Sequence, residues 1–247
     1  MSPLPGIPPR LPVAAAAEHP LRAVLWVSLL IVVIWQLPYG QAILYPLSLL
    51  ATCAHELGHG FAALLVGAEF HSFVLHADGT GMATWQGSPG RLATALVATG
   101  GLLGPSIAGS LLLILARSTR QSRLLLWLVA GSLLVDIVWW TRNPFGVIFL
   151  LACAVFFAVA ALWLNDRSAT FVVRLTGAVL CLSWFQHLDY MFSASASVGG
   201  VDHPSDTAVI ARVLWLPYWF WGGVIATMSL AVLTLGLWIA TRPRSSG

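Results

Sequence analysis

Apolar residues fall in long blocks broken by short polar or proline-containing stretches, and few of the blocks alternate with period two. Such blocks predict helices. Residues 1–20, with six prolines, are predicted to form a disordered tail. A first helix follows over 21–37, halted at Pro38-Tyr39-Gly40, and a second covers the apolar run 43–66 as its antiparallel neighbour. From 67 to 87 the pattern becomes extended: 70–75 and 81–85 flank Ala77-Asp78-Gly79, a strong hairpin signal. Further helices are predicted over 91–116, from about 124 to 141, over 145–164 after the break at Arg142-Asn143-Pro144, and over 171–187. A polar stretch, 188–212, precedes a last helix ending near 240, and 242–247 form a short tail.

Several of these blocks exceed the length needed to cross a hydrocarbon core about 30 Å thick. The predicted fold class is therefore an all-α, polytopic transmembrane helix bundle of six or seven spans with one short β-hairpin, forming a single domain over 21–241. Composition agrees: 58% of residues are hydrophobic and 9% charged. All twelve basic residues are arginine, most at the ends of apolar blocks where a cation reaches headgroups, and tryptophans such as Trp26, Trp139, Trp140 and Trp219 sit near predicted helix ends. The net charge of +3 thus reads as anchoring in a lipid bilayer. With no basic stripe interleaved with aromatics, nucleic-acid binding is excluded. Cys53, Cys153 and Cys181 are isolated and read as packing residues, and nothing in the pattern fixes an oligomeric state.

Inside the second apolar block stands His55-Glu56-Leu57-Gly58-His59, an HExxH motif. Histidines four apart share a helix face and can ligate one zinc ion, with Glu56 beside them to take a proton from water at the metal. Three ionisable residues within five positions of an apolar helix are expensive unless they serve a function. Catalytic zinc takes a third protein ligand. Asp136 stands alone in the fourth helix, about as far from its start as His55 is from the start of the second; alternate helices run parallel, so at about 1.5 Å per residue the two lie at similar depth. Asp189, at the end of the sixth helix, and Asp206, just before the last, are rivals that fit a polar site near one membrane face.

His55-Glu56-Leu57-Gly58-His59-Gly60 and the following Phe61 to Gly67, with Gly100-Gly101-Leu102-Leu103-Gly104-Pro105 downstream, resemble the site-2 protease family of intramembrane zinc metallopeptidases, in particular its small bacterial members. The resemblance covers residues 43–116. It implies a Zn2+ cofactor, a membrane-spanning or membrane-associated protein as substrate, a location in a bacterial plasma membrane, and a hairpin edge to which extended substrate can add as a strand. It also implies that the tail and hairpin face the cytoplasm, leaving Arg10, Arg22, Arg91, Arg142 and Arg212 inside against Arg117, Arg120, Arg123, Arg167, Arg174, Arg242 and Arg244 outside, which opposes the positive-inside rule. The family's Leu-Asp-Gly third-ligand segment is missing. Asn143-Pro144 echoes its beginning, which makes Asn143 a candidate for substrate binding, while Leu188-Asp189-Tyr190 and Ser205-Asp206 look like acidic segments of small relatives. A polar cavity is expected among the second, third and fourth helices, and His71 and His76 are read as interfacial. Two other functions fit the same residues: a proteolytically inactive scaffold or chaperone of this fold, favoured if no aspartate reaches the histidines, and a metal transporter.

Overall fold

A computed structural model describes residues 26, 29–31, 33, 34 and 36–242 except 88, 89, 117 and 187. The expected tail 1–20, most of the expected first helix and residues 243–247 lie outside the described residues. The chain runs α1 (Gly40–Leu65), β1 (Glu69–Leu75), β2 (Gly81–Gln86), α2 (Arg91–Leu115), α3 (Thr119–Trp139), α4 (Pro144–Trp163), α5 (Asp166–Gln186), α6 (Leu188–Met191), β3 (Ser195–Val198), β4 (Val201–Pro204), α7 (Asp206–Leu214) and α8 (Tyr218–Thr241).

Five of the described helices, α2, α3, α4, α5 and α8, are long and apolar enough to cross a membrane. The 26-residue α1 is long enough as well, at about 1.5 Å per residue, but its histidines, Glu56 and Gln41 interrupt its apolar character. Outward-facing leucines, valines and phenylalanines on α3 and α4 are exposed in quantity, as lipid contact requires.

The bundle is built around α2, which packs against α1, α5, α7 and α8, while α3 pairs chiefly with α4. Small residues set the α1–α2 approach. A Cβ on Gly58 would fall 2.2 Å from the carbonyl oxygen of Gly100, and one on Gly104 2.5 Å from that of Ala54, so the two backbones touch where the HExxH motif lies.

The first hairpin forms where Asp78-Gly79 predicts it. Thr80 donates to Asp78 Oδ1 through its hydroxyl (2.6 Å) and its N–H (2.9 Å), which hold the Asp78 carboxyl below its ordinary value. α1 anchors this turn: Tyr45 Oη donates to the carbonyl of Ala77 and Thr52 Oγ1 to that of Gly79, both at 2.8 Å. The outer edge of β1 is then closed by the α3–α4 connection. Phe73 N–H donates to Trp140 O (2.9 Å) and Arg142 N–H to Phe73 O (3.1 Å). Asn143 continues the ladder with its side chain, accepting from Leu75 N–H at 3.2 Å and donating to Leu75 O at 2.5 Å. Replacing it leaves a backbone N–H and C=O of β1 unpaired, a cost of about 1–3 kcal/mol. Asn143→Ala is therefore expected to raise amide exchange across 69–86, read by hydrogen–deuterium exchange mass spectrometry, with little change in the helices.

Residues 188–212 fold rather than loop. α6, the β3–β4 hairpin and the amphipathic α7 occupy the stretch, and the hairpin turns at Gly199-Gly200, both with positive φ (56° and 82°) as a two-residue turn of this type demands. α7 ends at Trp215, itself left-handed (φ 70°), just before Pro217. Its C-terminal end is fixed on α2 by Arg91, whose Nε donates to Val213 O at 2.8 Å and whose guanidinium lies 4.2 Å from the Trp215 ring. α5 begins five residues earlier than expected, because Asn165 caps it by accepting from Ser168 N–H at 3.0 Å.

Candidate metal centre

His55 and His59 project from one face of α1, their Nε2 atoms 3.1 Å apart. The aspartate brought to them is Asp206, the first residue of α7: its Oδ2 lies 3.0 Å from His55 Nε2 and 3.3 Å from His59 Nε2. Ligands about 2.0–2.1 Å from a tetrahedral zinc stand roughly 3.3 Å from one another, so the three donors already form a triangle of suitable edge. Among the described residues this is the one group of three or more His, Cys, Asp or Glu side chains able to hold a metal. Two imidazole lone pairs at 3.1 Å repel one another unless a proton or a cation lies between them. His59 Nδ1 donates to Val97 O at 2.9 Å, which leaves Nε2 as the ligating atom. Gly101 makes room for that ring, since a Cβ there would sit 2.2 Å from His59 Nε2.

Asp206 is held from its own side of the site. Tyr190 Oη donates to Asp206 Oδ2 at 2.9 Å and accepts from Asp206 N–H at 3.1 Å. Ser205 caps α7 by accepting from Ala208 N–H (3.2 Å) and donates to Ser193 O (2.6 Å), while Thr207 Oγ1 donates to Met191 O (3.0 Å). α6 and the start of α7 thus act as one anchored corner. Burial acts to raise the Asp206 carboxyl, but the charge of His59 and hydrogen bonds from both histidines outweigh it and hold the group below the ordinary carboxylate range.

The expectation that Asp136 meets the histidines is corrected by this arrangement. Asp136 is buried on the far side of α1, in an apolar cavity with Cys53 and Leu57. Asp189 is not in the cluster either; it belongs to α6, and its carbonyl accepts from Ser193 Oγ. Nor does Asn143 offer its amide to a substrate, both ends of that group being spent on Leu75. His71 lies at the exposed hairpin, 2.9 Å from Gln86 Oε1, away from the cluster.

Glu56 is 4% exposed and faces the strand β2, whose Ala83 N–H reaches its carboxyl. A side chain at Gly81 would collide with it, the Cβ falling 2.8 Å from Oε1. A cavity of about 260 Å³ opens over Glu56, the two histidines and Asp206, walled by β2, Tyr190 and His203, and a smaller one of about 110 Å³ lies between the turns of the two hairpins. α1, α2, β2 and the β4–α7 segment frame the site; α3, expected to line it, does not. Sequence reading missed Tyr190, His203 and the second hairpin. The signal for the hairpin is Gly199-Gly200 between two short runs with alternating small residues.

The Peptidase M50B-like family model matches residues 24–236. The chain belongs to the site-2 protease family. Comparison with curated proteins and with solved structures gives no match. Membership of the site-2 protease family points to an intramembrane metallopeptidase, and the apolar helices and the grouped His55, His59 and Asp206 agree with it.

Proposed function

We propose that this chain is a zinc endopeptidase that cleaves membrane-spanning or membrane-associated proteins, with His55, His59 and Asp206 as ligands and Glu56 as general base. The observation that carries the reading is the donor triangle: two imidazole nitrogens and one carboxylate oxygen within 3.3 Å of one another, a set that matches the protein ligands of a catalytic zinc. Zinc in such a site supplies Lewis acidity, polarising a peptide carbonyl and making water acidic enough to lose a proton near neutral pH.

The remaining steps belong to the chain. Glu56, fixed by Ala83 N–H, accepts the proton of the attacking water and later delivers it to the leaving amine. Peptide is presented by β2. Because Phe73 and Leu75 turn their backbone groups toward the α3–α4 connection, their partners Gly81 and Ala83 turn theirs the opposite way, toward the cavity, where Ala83 N–H is taken by Glu56 and Ala83 C=O and the Gly81 groups face the open space. An extended stretch of substrate can add there as a strand, which straightens it for attack, as hydrolysis of a helical segment requires. A membrane scaffold needs no such triangle, and a transporter needs further polar residues along a path.

The test is cleavage of a transmembrane model substrate by the purified, reconstituted chain. A chelator such as 1,10-phenanthroline is expected to abolish cleavage and added zinc to restore it; cleavage indifferent to the chelator refutes the metal-dependent reading.

A further inference from the structure

The cavity that holds Asp136 takes no part in the centre just described. α2 and α3 are consecutive in the chain yet scarcely touch, and between them lies a furrow of about 310 Å³. Its floor is Cys53 and Leu57 of α1, and its walls are Ala108 and Leu112 of α2 and Val129 and Leu133 of α3. The hydroxyls that border it are already used: Ser132 Oγ donates to Val129 O and Thr176 Oγ1 to Val172 O, each at 2.9 Å.

Asp136 is the exception. Its side chain is buried (3% exposed), and Oδ2 finds no hydrogen-bond partner among the described residues. Trp140 N–H and the Thr141 N–H and hydroxyl bond to its backbone carbonyl instead, and the nearby Arg142 gives its guanidinium to the carbonyls of Thr141 and Trp139. A buried carboxylate oxygen without a donor is costly. Among the described residues nothing supplies that donor, and a ligand lying in the furrow can.

The shape restricts what can bring it. At about 30 Å³ per water-sized group the furrow takes about ten heavy atoms, whereas a helix is 10–12 Å across and does not fit. From Leu125 to Asp136 the furrow follows α3 for eleven residues, about 16 Å, with its polar end one turn from the helix end at the exposed Trp139, the level of the headgroups. That is the outline of one acyl chain with a cationic donor at its head.

We propose that the α2–α3 furrow binds an aminophospholipid, its primary ammonium donating to the Asp136 carboxylate and part of an acyl chain lying along Val129 and Leu133. A quaternary ammonium has no N–H to give, so phosphatidylcholine cannot make the contact. The site lies on the face of α1 opposite His55, Glu56 and His59 and acts independently of them.

The test reconstitutes the full chain in vesicles of equal phosphatidylethanolamine and phosphatidylcholine, extracts it in mild detergent and counts retained lipid by native mass spectrometry. The wild type is expected to retain phosphatidylethanolamine roughly tenfold over phosphatidylcholine, the worth of a charge-assisted hydrogen bond. Asp136→Asn should bring the two near parity, and Ala108→Phe or Val129→Phe, which fill the furrow, should remove both. Parity in the wild type, a preference that survives Asp136→Asn, or retention unchanged by either filling substitution in folded protein overturns the proposal.

Discussion

Glu56→Gln is expected to lower cleavage of a transmembrane substrate by about 10²–10⁴-fold while leaving zinc content unchanged. The substitution keeps the shape of the side chain and an oxygen that can accept from Ala83 N–H, so β2 stays where Gly81 lets it approach. What it removes is the ability to accept a proton from water and return it to the amine. The ligand atoms of His55, His59 and Asp206 are untouched, and His59 keeps its bond to Val97 O. Zinc analysis beside single-turnover cleavage separates the two effects: a variant that loses metal in step with activity makes Glu56 a structural part of the site, and one that cleaves normally removes it from the chemistry.

The membrane-length helices α2, α3, α4, α5 and α8 were legible because a lipid-facing helix is apolar over its whole length, a pattern that no tertiary contact needs to complete. The first hairpin was legible from Asp78-Gly79. The second was not, because Ser195–Val198 and Val201–Pro204 are short, small and partly exposed, and they hold their place through contacts remote in sequence, such as Gly199 N–H on Thr80 Oγ1 at 3.2 Å. The HExxH residues could be read because the helix alone places them.

The third ligand was harder. Asp136, expected at the depth of His55, lines one cavity with Cys53 and Leu57 of α1. Depth says nothing of azimuth. Residues 53 and 57 face one side of α1, and 55, 56 and 59 the other, since each step turns the helix by about 100°. Asp206 comes to the face of His55 and His59 because Tyr190, Ser193 and Met191 fold the polar stretch back over α1, an arrangement with no local sequence signature.

That assignment predicts the largest effect on the metal. Asp206→Ala is expected to lower zinc affinity by more than about 100-fold, beyond the 10–100-fold typical of losing an outer partner of a ligand, and to abolish cleavage with it. Removal of the carboxylate takes away one of three donors, the oxygen that lies within 3.3 Å of both Nε2 atoms, which themselves stand 3.1 Å apart. Tyr190→Phe is the intermediate case, because it removes only the hydroxyl that aims Oδ2 and should fall within the outer-partner range. Asp136→Asn and Asp189→Asn should keep one zinc per chain, since neither carboxylate belongs to the triangle. Competition titration with a chromophoric chelator, run on all four folded proteins, reads these affinities directly. Zinc lost in Asp136→Asn and kept in Asp206→Ala would reverse the assignment, and it would require the polar corner of α6 and α7 to swing away from α1 when metal binds.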